Sequence, residues 1–412
     1  MLRTLLQLLL LLYTCGTIAA APQPTVTVLL QLHPSTRTFD CTYTITLTLE
    51  DSLSLNFNRQ HRITNIKGIG IESQAITPYF DTFLKDTLQQ LTINFNRHGK
   101  IPAKTTVKYT GIIPEHAYRS DVIELSAHAN WLPVLPDKEY ELVNYTLEVQ
   151  VDEKYEIVST GKPTKYKNGK YMFTGVAPNI EISALVAKEF YTLQSKFVTL
   201  IKANAAPTAS DTALLAEAEK VITYYNQTIG QRDPISSFTI FLPQTNRNAY
   251  ALLNNAIVIT YSDFDVENTQ DKLILAHEIS HKWWAYGYWK SYENWLNEGF
   301  ATYSGLLYLK QSGDTTAFKE AIEQRMQRAA NAPAILGFQP SQHDYDTFRR
   351  VLYDKATIIL YSLHKRIGDR AFFSLLSSAA ANKTATTSEL LNLLEQETDR
   401  ATREWLHLQL QQ

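Results

Sequence analysis

His277, Glu278 and His281 stand in the order H-E-x-x-H, inside a run that opens Leu273-Ile274-Leu275-Ala276 and continues to Trp283 and Trp284. The apolar residues around the motif read as a buried helix, and on a helix residues four apart share one face. Both imidazoles are therefore held on the same side, where two neutral nitrogens can bind one zinc ion roughly 2 Å away, with Glu278 beside the metal's open position as a base for water. The same five residues also fit a core helix whose histidines hydrogen-bond to neighbours. With 10 histidines in 412 residues, a chance match is on the order of one in a hundred chains. What decides between the readings lies sixteen residues beyond His281, in Trp295-Leu296-Asn297-Glu298-Gly299-Phe300-Ala301, which opens a second apolar helix through Leu309. Glu298 can supply a third ligand and complete a site of two histidines and one carboxylate, with a fourth position left for water.

HEISH followed by WLNEGFA resembles the gluzincin zinc peptidases, and within them the M1 family of aminopeptidases. Thermolysin-like enzymes carry N-E-x-x-S-D around the third ligand, so WLNEGFA favours M1. The interval between His281 and Glu298 is two residues shorter than is usual in that family, which is expected to alter the loop more than the ligand set. The resemblance implies one zinc per chain on His277, His281 and Glu298, with Glu278 as the catalytic base. It extends to Val351-Leu352-Tyr353-Asp354-Lys355-Ala356, which is similar to the family's Y-x-K-G segment with Ala in place of Gly. The family's catalytic tyrosine then maps to Tyr353, whose phenol would donate to the developing oxyanion.

One departure bears on specificity. Asn254 stands where M1 aminopeptidases have the Glu of G-x-M-E-N, just ahead of the strand Ala256-Ile257-Val258-Ile259-Thr260-Tyr261. That family Glu accepts the substrate's ammonium, and a charge-assisted contact is roughly twice as strong as a neutral one. The family also uses a Gln or Glu shortly before a W-x-P segment, here Trp131-Leu132-Pro133, and Glu124 is the nearest candidate. By itself Glu124 reads as a solvated strand residue.

The remainder of the chain supplies the setting. Residues 1–21 carry Arg3, the apolar run Leu5 to Tyr13 broken by Gln7, and the small residues Ala19-Ala20-Ala21, which together read as a secretory signal peptide too short for a membrane span. Lipoprotein processing at Cys15 is the less favoured alternative. After export only Cys41 remains of the two cysteines, so no internal disulfide is expected. From residue 22 to 190 the pattern has period two, as in Thr42 to Leu49, Leu91 to Phe95 and Tyr145 to Val151, which predicts half-buried strands and a β-sheet domain. Residues 191–412 give a helix over Ala213 to Gly230, a strand over Phe238 to Leu242 and then mainly helices. The expected fold class is α+β, an N-terminal all-β domain followed by a thermolysin-like catalytic domain. Because 114 residues follow Glu298, the large helical domain that roofs the site in full-length M1 enzymes is expected to be missing and the site to be more open.

A net charge of −2 provides no basic surface for nucleic acid and no acidic tail. The resemblance implies an exported zinc metallopeptidase acting on peptides, most simply an aminopeptidase, with no transmembrane span in the mature chain and an oligomeric state the sequence leaves open. Two alternatives stay open: a zinc endopeptidase or other hydrolase with altered amino-terminus recognition, and an inert secreted binding protein.

Overall fold

The computed structural model describes residues 23–49, 51–81, 86–96, 101–159, 163–243, 250–252, 257–259 and 264–412. The leader with Cys15, and Asn254 with its neighbours, lie outside them.

The alternating runs of the first half form strands with one buried and one wet face. Thr25–His33 and Leu142–Gln150 alternate almost residue by residue, as a pleated strand with a single apolar face must. Seven strands build one sheet in the order Pro163–Lys167, Lys170–Pro178, Leu142–Gln150, Thr25–His33, Thr38–Leu49, Ile101–Ile112, Arg62–Gly68. A three-stranded sheet (Ser52–Phe57, Asp86–Phe95, Ile71–Asp81) and a four-stranded one (Glu156–Ser159, Ala184–Ala187, Val122–Leu125, Tyr118–Arg119) accompany it. Buried residues from all three sheets form one core that includes Tyr43, Tyr109, Trp131 and Phe173. The indole of Trp131 donates to the Ile182 carbonyl at 3.2 Å, and the Tyr109 hydroxyl donates to the carbonyl of Trp131 at 2.8 Å. The Trp131-Leu132-Pro133 segment is thus a strut of this core. Glu124 is not solvated as its strand position implied. It is buried opposite Leu185, and the Ser126 hydroxyl donates to it at 3.4 Å. Cys41 is a buried free thiol that desolvation pushes up to about 12, which leaves it unreactive.

The second half is built on a five-stranded sheet, Phe190–Gln194, Val198–Ala203, Phe238–Leu242, Ile257–Ile259, Tyr250–Leu252, whose three central strands are parallel. Parallel neighbours need a crossover, and helix Ala209–Thr228 lies between the first two of these strands in the chain. It begins four residues earlier than its apolar stripe predicts, because Thr208 and Asp211 form a reciprocal capping box that satisfies the first free N–H groups. Its Leu214, Ala218, Val221, Ile222 and Tyr225 join a core shared with helices Thr269–Ser280, Trp295–Gln311, Thr315–Ala329, Ala356–Ala381, Thr387–Glu397 and Arg400–Gln411. The organisation is α+β. Among the described residues no helix is long and apolar enough to cross a membrane.

Candidate active site

Helix Thr269–Ser280 carries His277 in its last turn and ends with His281 at the cap position. Against it lies helix Trp295–Gln311 with Glu298 in its first turn, and two glycines allow the approach. A Cβ at Gly305 would stand 3.2 Å from the Leu273 carbonyl oxygen, and one at Gly299 would stand 2.5 Å from the Cβ of Ala356. The helix bearing Glu298 is therefore held at close range both to the histidine helix and to the segment that carries Tyr353.

This packing brings three predicted residues to one point. The Nε2 atoms of His277 and His281 are 3.1 Å apart. Oε2 of Glu298 is 3.3 Å from the first and 3.8 Å from the second. Ligands about 2.0–2.1 Å from a tetrahedral ion stand roughly 3.3–3.4 Å from one another, so the three edges fit zinc. The hydrogen bonds favour the same conclusion. Nδ1 of His281 lies 2.7 Å from the Trp284 carbonyl, which can only accept, so the ring proton sits there and Nε2 keeps its lone pair. That lone pair faces the other imidazole, and the buried Glu298 Oε2 has no well-formed hydrogen bond. Three acceptors converging in this way call for a cation. Nδ1 of His277 is 3.4 Å from the hydroxyl of Thr302, one turn beyond Glu298. Glu278 is half-buried on the turn between the two histidines.

The shortened connection is closed by a residue of the WLNEGFA segment. Asn297 accepts from the Gly287 N–H at 2.9 Å and donates to the Gly287 carbonyl at 2.8 Å, and a Cβ on Gly287 would meet the Glu293 carbonyl oxygen at 2.3 Å. With the connection closed in this way, the three candidate ligands stand together.

Tyr353 lies in a π-helical stretch, Arg350–Lys355, leading into helix Ala356–Ala381; such bulges are frequent at functional sites. The next residue, Asp354, is buried and ion-paired to Arg325 at 2.8 Å and Arg328 at 2.7 Å. The Tyr353 ring is nearly parallel to that of His277, 6.1 Å between centroids, and the Arg349 guanidinium is 4.3 Å from its centre. Burial, followed by the Glu298 charge, holds its phenol well above the ordinary value, so it stays protonated and able to donate.

These groups open into a cavity of about 690 Å³. His281, Glu298, Phe348 and Tyr353 line one side and residues 137–142 of the β half line the other. Glu124 is not among its lining residues. Sequence reasoning missed Thr302, Asn297 and the 137–142 wall. Asn297 had a signal in its place inside WLNEGFA, whereas the Trp284 carbonyl is backbone and had none.

Residues 245–408 match the sequence family described as the peptidase family M1 domain. No curated protein sequence is matched. Among solved structures, the M1 zinc metallopeptidase of Deinococcus radiodurans is similar at 16% identity and a TM-score of 0.69, over 94% of each chain. A variant of it bound to the substrate Tyr-Ser-Ala is similar at 17% identity, with the same TM-score and coverage. A two-domain M1 zinc metallopeptidase variant bound to L-arginine matches at 16% identity and a TM-score of 0.69, over 95% of this chain and 94% of that one. At these identities the structures speak for the fold, and the family match with the converging histidines and carboxylate speaks for the chemistry: residues 245–408 are a peptidase M1 domain, and the chain is a zinc metallopeptidase.

Proposed function

We propose that this protein is an M1-type aminopeptidase whose zinc is held by His277, His281 and Glu298, with Glu278 as base and Tyr353 as oxyanion donor. The observation that carries the reading is the triangle of Nε2, Nε2 and Oε2 atoms with a protonated phenol beside it in one cavity. When bound, zinc polarises a carbonyl and lowers the pKa of water. Glu278 takes a proton from the attacking water as the oxygen–carbon bond forms, and delivers it to the amine nitrogen as the carbon–nitrogen bond breaks. Tyr353 donates to the carbonyl oxygen while charge gathers there. Trp284 and Thr302 hold the imidazoles in the orientation that presents Nε2.

Short peptides are the favoured substrates, in keeping with the Tyr-Ser-Ala found on a related M1 enzyme. Asn254 in place of the family Glu favours a second reading, hydrolysis with relaxed demand for a free amino terminus. Turnover of matched free and Nα-acetylated peptides, with and without chelator, separates the two. An aminopeptidase rejects the acetylated member, and Asn254→Glu should raise the preference for the free amine about five- to thirtyfold, or about 1–2 kcal/mol. Chelator-insensitive cleavage would overturn the zinc mechanism. The leader at residues 1–21 supports export, which amino-terminal sequencing of the mature protein would check.

A further inference from the structure

We propose that the wall of the catalytic cavity formed by Asp137 and Glu139 is a subsite for a cationic substrate side chain, lysine or arginine; this rests on the peptidase reading above and specifies its substrate class.

The argument begins with a charge imbalance. Lys290, on the short connection after the histidine motif, lies 2.5 Å from Glu139, 3.6 Å from Asp137 and 4.0 Å from Asp81. Among the described residues Asp137 and Glu139 share the single ammonium of Lys290, so this pair keeps an excess of negative charge. The neighbouring Lys138 does not offset it, because Lys138 pairs with Glu141 at 3.5 Å. Glu139 is 5% exposed, and while one of its oxygens meets Lys290, the other, Oε2, is buried without a hydrogen bond. A buried carboxylate oxygen in that condition is unfavourable until a donor reaches it. Asp137 is open to solvent, with 74% of its side chain exposed, and both residues line the same cavity as Glu298 and Tyr353.

The remaining wall has matching chemistry. Tyr140, Tyr286, Tyr288 and Trp289 line the cavity beside the two acids, and aromatic rings next to carboxylates are the surroundings that bind alkylammonium and guanidinium groups. Lys290 shows how such a group is received here, with its ammonium on Glu139 and 5.2 Å from the Trp289 ring.

The test uses the zinc-loaded full chain and peptides carrying lysine, arginine, norleucine or glutamate in turn at the first, second and third positions. At one position kcat/KM for lysine or arginine should exceed that for norleucine at least tenfold. The lysine-to-norleucine ratio should fall severalfold in Glu139→Gln and in Asp137→Asn. Asp137 is exposed, so its variant keeps the test sound if the buried Glu139→Gln misfolds. Equal rates for lysine and norleucine at every position, or ratios unmoved by both substitutions, would overturn the subsite. Every peptide of the series carries a free α-amine, so a lysine-over-norleucine preference assigns the recognised cation to the side chain. If no peptide is cleaved, calorimetric binding of Lys-Ala-Ala against norleucine-Ala-Ala decides independently. Tighter binding of the lysine peptide would uphold the subsite while the peptidase reading fell, and equal binding would overturn it.

Discussion

At the scale of single residues, the site divides its work between groups that hold the metal and groups that move charge. His277→Ala or Glu298→Ala removes one corner of the triangle and should empty the site of zinc, as metal analysis of the purified variants would show. Glu278→Gln keeps an acceptor and a similar shape but cannot take a proton, so zinc should stay while turnover falls on the order of 10²–10⁴-fold. Full zinc occupancy in His277→Ala would show that the ligands are assigned wrongly. Tyr353→Phe deletes one hydroxyl from a ring packed near His277 and Arg349. Its fold and zinc should be kept and kcat should fall about a hundredfold or more, the usual cost of a positioned oxyanion donor. Unchanged turnover would mean that another group supplies the donor.

At the scale of elements, the site depends on three segments meeting without side chains in the way. Glycine in a helix interior ordinarily weakens it, so Gly→Ala there usually gains roughly 0.5–1 kcal/mol. Gly299 should behave in the opposite sense, because its new Cβ would lie 2.5 Å from that of Ala356, and overpacking of this kind costs about 1–3 kcal/mol. Gly299→Ala should therefore lower stability in denaturant titration and reduce activity by shifting Glu298. Adding Ala356→Gly should recover part of the loss, with a coupling of roughly 0.5–3 kcal/mol between the two positions. A Gly299→Ala protein as stable as the wild type would mean the helices are further apart than described.

At the scale of the whole molecule, the β half and the catalytic half have separate buried cores, and the cavity takes lining from both. The candidate zinc ligands come from two helices of the catalytic half alone, so the metal should stabilise that half by bridging them. A ligand that binds only the folded state at a thousand times its Kd contributes about 4 kcal/mol. Calorimetric scans with and without chelator should show a lower unfolding midpoint for the metal-free protein, and His277→Ala should not respond. A chelator shift of equal size in that variant would place the metal elsewhere.

What depends on local periodicity could be read along the chain. The i, i+4 spacing of His277 and His281, the alternation of the β half, and Glu298 at the start of an apolar helix are properties of neighbours along the chain, and they were legible. The start of helix Ala209–Thr228 was missed by four residues, because the apolar stripe was followed and the Thr208 and Asp211 capping pair was not. Which distant groups meet was settled by packing in the folded chain. The Trp284 carbonyl selects the His281 tautomer, Ala356 demands a glycine at 299, and Glu124 lies buried where its strand position read as wet. The acids at 137 and 139 became part of the catalytic cavity because Lys290, about 150 positions along the chain, folds onto them at the range where charge-assisted hydrogen bonds act. Periodicity encodes which face of an element is apolar, but which neighbour covers that face is set by side-chain volumes and hydrogen-bond geometry across the packed interior.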